Sequence, residues 1–144
     1  MLRLDAFLPY QLSIVSNAVS SAVARTYESL FGLRIAEWRL IAVLAEEDGL
    51  TQQALCTRTE MDKMTVSRAA QALVARGLVR RSDHGTDKRS HALALSDDGR
   101  ALYGQIAPKA LELEQRLLQS IGERELKQLK ATLAKLKAAS QALR

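Results

Sequence analysis

The side chains best suited to recognition chemistry lie between Asp62 and Arg76, in the run Asp-Lys-Met-Thr-Val-Ser-Arg-Ala-Ala-Gln-Ala-Leu-Val-Ala-Arg. At a helical advance of about 100° per residue, Val66, Ala69, Ala70, Leu73 and Val74 gather on one side, and Met64, Arg68, Gln71 and Ala75 on the other. Thr65 and Ser67 fall on the flanks. One side is made for packing; the opposite side is polar and slender, and its chemistry is hydrogen bonding to the edges of nucleobases. A guanidinium such as that of Arg68 donates a bidentate pair to guanine, the amide of Gln71 both donates to and accepts from adenine, and the Met64 thioether suits a thymine methyl. Thr65 and Ser67 can bond bases or phosphates, and Lys63 stands where a helix N-terminus attracts phosphate. The alanines matter because a major groove about 12 Å wide admits a helix only when its outward side chains are small enough for close approach.

These residues need an element to hold them. Asp62 suits the N-cap of such a helix, and Gly77 can take the left-handed conformation that ends one. A shorter helix precedes it: Thr51 is its N-cap, Leu50 can staple onto Leu55, and the helix runs to about Arg58. Two short helices across the tight Thr59-Glu60-Met61 connection make a helix-turn-helix, and Thr51 and Gln52 join the candidate DNA-contacting residues. Leu78–Ser82 and His91–Leu95 then read as a two-stranded hairpin, with Leu93 and Leu95 on one face and the polar tip Asp83-His84-Gly85-Thr86-Asp87-Lys88-Arg89 between them. Arg81, His84, Lys88 and Arg89 would carry its basic surface to a neighbouring phosphate or narrow minor groove.

The flanking segments are helical. After Pro9, Leu12, Val15, Val19, Val23 and Leu30 share a stripe that Gly32 interrupts, and a nearly all-apolar helix follows from Ala36 to Ala45. Ser96 can cap a long helix with Asp97 and Asp98 in its first turn and Leu102, Ile106, Leu113 and Leu117 along its apolar side. Pro108 lies inside it and should kink rather than end it. After Gly122, Leu126, Leu129, Leu133, Leu136 and Leu143 form a heptad-like seam with Ser140 in its polar slot. The seam and the N-terminal stripe each need a mate, which predicts a homodimer built on Leu12, Val15, Leu126, Leu129, Leu133 and Leu136.

Charge and composition agree with an anionic partner. The formal net charge is +5, and residues 58–91 hold eight Lys/Arg against four Asp/Glu, the densest excess in the chain. Aromatics make up only 4% of residues, so the core should be aliphatic and helical. No secretory signal or membrane span is legible, which leads us to expect a soluble, cytoplasmic protein. Cys56 is the single cysteine, so it forms no internal disulfide and no zinc cluster; it should pack as a small hydrophobe. His84 and His91 with Asp83 and Asp87 make an incomplete metal-ligand set, and we expect no metal or cofactor. No nucleophile–base pair, phosphate-binding glycine loop or paired carboxylate argues for catalysis.

Taken in order, Leu50-Thr51-Gln52-Gln53-Ala54-Leu55, Thr65-Val66-Ser67-Arg68, Leu73-Val74-Ala75-Arg76-Gly77-Leu78-Val79-Arg80-Arg81, Asp87-Lys88-Arg89 and Leu93-Ala94-Leu95-Ser96-Asp97-Asp98-Gly99 resemble the successive signatures of the multiple-antibiotic-resistance regulator (MarR) family. Gly32-Leu33 and Trp38 resemble the entry to the family's second helix, although Arg34 stands where relatives place a Ser or Thr cap and Cys56 where Ala is usual. The resemblance implies a mainly α fold with a small β-hairpin wing: a single domain over 1–144, with a winged helix-turn-helix at about 34–96 and dimerisation helices at about 8–30 and 97–144. It implies a transcription regulator that reads a pseudo-palindrome in double-stranded DNA as a homodimer, with Arg89 in the minor groove, oriented by Asp87, and Arg68, Thr65 and Ser67 serving the major groove. It also implies a repressor responsive to a small aromatic or phenolic effector, for which Tyr10, Tyr27, Trp38 and Tyr103 are either pocket lining or plain core. A winged-helix protein-interaction module, or a constitutive regulator with no effector, are the competing readings.

Overall fold

The computed structural model describes the backbone of residues 1–84 and 87–144 and, outside 83–90, their side chains. Within these residues there are six α-helices and one antiparallel hairpin: α1 (Leu8–Phe31), α2 (Ile35–Glu46), α3 (Gln52–Thr59), α4 (Lys63–Ala75), β1 (Val79–His84), β2 (Asp87–Leu95), α5 (Asp97–Leu117) and α6 (Glu123–Ala142). A short 3-10 turn, Leu4–Ala6, precedes α1. This is the mainly α, winged helix-turn-helix architecture expected from the sequence.

Packing divides the chain into two compact units, Met1–Ala107 and Pro108–Arg144. The division falls at Pro108, inside α5, and the helix continues through it. In the first unit the core is aliphatic: Leu33, Leu40, Ile41, Leu44, Leu55, Val66, Leu73, Leu93, Leu95 and Ile106 are fully buried. They come from the α1–α2 connection, α2, α3, α4, β2 and the middle of α5, so one apolar cluster fixes the helix-turn-helix to the base of the hairpin. The second unit has no buried residue in α6.

Local signals set the element ends. The Thr51 hydroxyl accepts from the Ala54 N–H at 3.1 Å and caps α3. At the start of α2 the Glu37 carboxylate accepts from the Arg34 N–H at 2.8 Å, so half of a capping box survives although arginine has no acceptor of its own. After α4, Gly77 takes φ +73°. Its N–H reaches the Val74 carbonyl and the Leu78 N–H reaches that of Leu73, the paired bonds of a Schellman stop.

The hairpin pairs Val79 with Leu95 and Arg81 with Leu93, with an irregularity between Asp83 and His84. Leu50 pairs with Leu93 as an isolated antiparallel bridge, its N–H and carbonyl both bonded to Leu93, so the residue before α3 acts as a third edge of the small sheet. The Ser96 hydroxyl accepts from the Gly99 N–H at 3.0 Å, capping α5 as expected, and donates to the Gly77 carbonyl at 2.6 Å. One side chain thus closes α5 onto the turn that ends α4.

Candidate nucleic-acid interface

The polar face of α4 is exposed as its period predicts. Met64, Arg68 and Gln71 are open to solvent, Met64 to 63%, while Val66, Ala69, Ala70 and Leu73 are buried beneath them. Lys63, Met64, Ser67, Arg68 and Gln71 line one shallow surface cleft. Four of the five are candidate donors, and the fifth supplies an apolar surface. Ser67 and Thr65 are half-buried on the flanks, and Val74, expected on the packed side, is half-buried too.

Thr65 differs from the sequence expectation in one respect. Its hydroxyl donates to Asp62 Oδ2 at 2.9 Å, and its N–H donates to Asp62 Oδ1 at 2.8 Å. The hydroxyl proton is therefore committed to the cap of α4, which leaves the oxygen as an acceptor. The same two bonds, the backbone one first, hold the Asp62 carboxyl below its ordinary range. A carboxylate with a lowered folded value stabilises the native state above its unfolded value, and that contribution is lost as pH falls through the folded one. We expect Asp62→Ala to speed amide exchange at Thr65 and Val66 at neutral pH, and the wild-type helix start to lose its protection only below the usual carboxylate range.

Thr51 and Gln52 start α3, with Thr51 half-buried as its cap and Gln52 half-buried beside a cleft of about 450 Å³ that Gln53, Cys56 and Lys63 complete. Cys56 is half-buried at this cleft rather than sealed in the core. Arg80 and Arg81 are exposed on β1. The side chains of Asp83, His84, Asp87, Lys88 and Arg89 lie outside the described residues, so the wing-tip expectations, and the metal set they would share with His91, have no geometry here.

Three groups that the sequence pattern did not single out join the elements around α4 to one another. Arg58 on α3 pairs with Glu46 at 2.6 Å and Glu47 at 3.1 Å at the end of α2. Asp48 pairs with Arg100 on α5 and also accepts from the Leu95 N–H at 3.4 Å. The third, Arg76, donates to the Gly32 and Phe31 carbonyls at 3.0 and 3.3 Å. Partners 11 to 52 residues apart leave no periodic signal in the sequence.

With this geometry in hand, comparison with known proteins decides the family. Residues 31–90 match the MarR family. The chain is 32% identical to a MarR-family transcriptional regulator of known structure from Silicibacter pomeroyi, over 95% of this chain and 92% of that one, with a TM-score of 0.76. This chain belongs to the MarR family of transcriptional regulators. It also superimposes on a MarR/EmrR family regulator from Acinetobacter sp. ADP1 with a TM-score of 0.88 and 28% identity, covering 98% of this chain and 99% of the other. Among curated proteins it is 32% identical to the HTH-type transcriptional regulator TtmR of Methylorubrum extorquens (strain PA1) over 69% of this chain, a match that spans only 52% of that relative's length.

The MarR-family winged helix therefore carries α4 and the hairpin of this chain. Beside α4 lies a cleft of about 640 Å³ between the end of α1, the start of α2 and the inner flank of α4. Glu28, Arg34, Glu37, Thr65, Arg68 and Arg76 contribute its polar lining. Of the aromatic residues considered for an effector site, three pack on one another: Tyr27 lies 5.4 Å from Trp38, and Trp38 stacks on Tyr103 at 6.0 Å and 15°. Burial pushes the Tyr27 phenol up, and Tyr10 is exposed on α1. Among the described residues no helix is long and apolar enough to cross a membrane, and no cluster of His, Cys, Asp or Glu is arranged to hold a metal.

Proposed function

We propose that this MarR-family chain is a sequence-specific repressor that binds a pseudo-palindromic operator as a homodimer and answers to a small effector. The observation that carries the reading is the α4 surface: Arg68 and Gln71 stand exposed on a helix capped at both ends, with buried alanines behind them. Arg68 and Gln71 read base edges, Ser67 and Thr65 accept or bridge at the groove wall, and Lys63, Thr51, Gln52 and Arg81 hold phosphates. The wing residues His84, Lys88 and Arg89, with Asp87 orienting the last, extend the contact on the strength of their sequence pattern alone.

Dimerisation is supported by apolar surface that a lone chain leaves wet. Leu12 and Val15 on α1 are exposed, Val15 to 59%, and on α6 Leu129 and Leu133 are exposed while Leu126 and Leu136 are half-buried. Contiguous apolar stripes of this kind are uncommon on monomers, and a second copy supplies an apolar mate of the same chemistry. The effector reading rests on the cleft beside α4, where Arg34 and Arg68 favour a phenolate or carboxylate and where a bound anion would compete with DNA for Arg68.

Sedimentation of the protein with a selected duplex, followed by a salt titration, tests this. Two protomers per duplex are expected, with affinity falling steeply and log-linearly in salt. Lys63→Ala should flatten the slope by about 2, one phosphate contact from each protomer. One protomer per duplex, or an affinity indifferent to salt, would contradict the reading.

A further inference from the structure

Arg76 sits one residue beyond α4, as its C-cap. Its guanidinium crosses to the end of α1, where Nη1 donates to the Gly32 carbonyl at 3.0 Å and Nη2 to the Phe31 carbonyl at 3.3 Å. Those are carbonyls that the left-handed turn at Gly32, φ +63°, leaves without helical partners, at the negative end of the α1 dipole. A planar fork with fixed donor directions meets two acceptors at once, which an ammonium cannot do in the same geometry. The backbone of Arg76 is itself held, since its N–H bonds the Ala72 carbonyl and the Schellman stop at Gly77 follows at once. α4 packs mainly on α2, α3 and β1 while α1 packs on α2, and this side chain adds a direct tie between the reading helix and the end of α1.

We propose that Arg76 is a positioning residue that fixes the reading helix against α1 and thereby sets which half-site spacing the dimer accepts; the inference rests on the dimeric DNA-binding reading above. Leverage makes a small joint effective. With 24 residues, α1 is about 36 Å long, and a rotation of about 5° at one end displaces the other by about 3 Å. That is close to one base-pair step, ~3.4 Å along the duplex. The guanidinium is exposed, so its bonds compete with water and contribute little to folding. Their consequence is geometric: they restrict where α4 lies relative to the helix that carries the exposed Leu12 and Val15.

The test compares wild type, Arg76→Met and Arg76→Lys on duplexes carrying the selected half-sites at the preferred spacing and with one base pair added or removed, and on a single half-site. Wild type is expected to disfavour the altered spacings by about tenfold, comparable to one misplaced contact. Arg76→Met should lose most of that discrimination while keeping its thermal midpoint and its base preference on the single half-site, with Arg76→Lys between the two. A wild-type spacing profile in Arg76→Met would overturn the proposal. So would loss of base preference together with spacing preference, which would place the fault within α4. Absence of wild-type affinity for any duplex would instead overturn the dimeric reading, and this inference with it.

Discussion

Replacing Arg68 by alanine is expected to weaken operator binding by at least about 30-fold with no loss of folded protein. A bidentate arginine–guanine pair discriminates by about 1–3 kcal/mol, and a symmetric dimer loses one in each half-site, so about 2 kcal/mol is the floor of the effect. The fold is spared because the Arg68 side chain is exposed on the outer face of α4, while the packing rests on Val66, Ala69, Ala70 and Leu73. The loss should be selective if Arg68 reads bases rather than phosphates: large on the operator, small on unrelated duplexes, with the salt slope barely changed. Fluorescence anisotropy on operator and scrambled duplexes reads both numbers. Equal weakening on both would assign Arg68 to the phosphate backbone.

Gly99→Ala is expected to be the most damaging small change in the first unit. A Cβ there would collide with the carbonyl oxygen of Leu78 and meet Leu95 Cδ2 at 3.2 Å. The Leu78 carbonyl cannot retreat freely because it accepts from the Ser96 N–H at 3.0 Å. Overpacking against backbone costs about 3 kcal/mol, which for a chain of this size lowers the thermal midpoint by roughly 6–12 °C. Gly104→Ala on the same helix is the control: nothing lies within 4 Å of its added Cβ, so removing a flexible residue from a helix interior should raise stability by up to about 1 kcal/mol. Opposite signs for one substitution, measured by thermal unfolding at fixed protein concentration, would place the Gly99 effect in the close approach of α5 to the turn after α4.

What was legible in the sequence was local. Thr51, Asp62 and Ser96 declare helix starts because a cap needs only a side chain and an amide three residues on, Gly77 declares a helix end because glycine takes a positive φ without strain, and all four act where their positions imply. The division of α4 into a buried and an exposed face follows from its period alone. What stayed hidden joins distant segments. Nothing in the pattern around Leu50 foretells its pairing with Leu93, and nothing around Arg76 points to the end of α1. Thr65 shows a subtler limit, since its type and position suit both DNA contact and helix capping, and only geometry reveals the bond to Asp62. The aromatic residues were ambiguous for the same reason, and Tyr27, Trp38 and Tyr103 proved to be partners of one another.

Sequence-specific DNA recognition by α4 is tested most directly by selection from a randomised duplex library with the purified chain, read by sequencing. A pseudo-palindrome whose half-site centres lie about one helical turn, ~34–36 Å, apart should be enriched, and Arg68→Ala should lose that enrichment. An unenriched library, with duplex affinity that does not respond to salt, would contradict sequence-specific DNA recognition by α4.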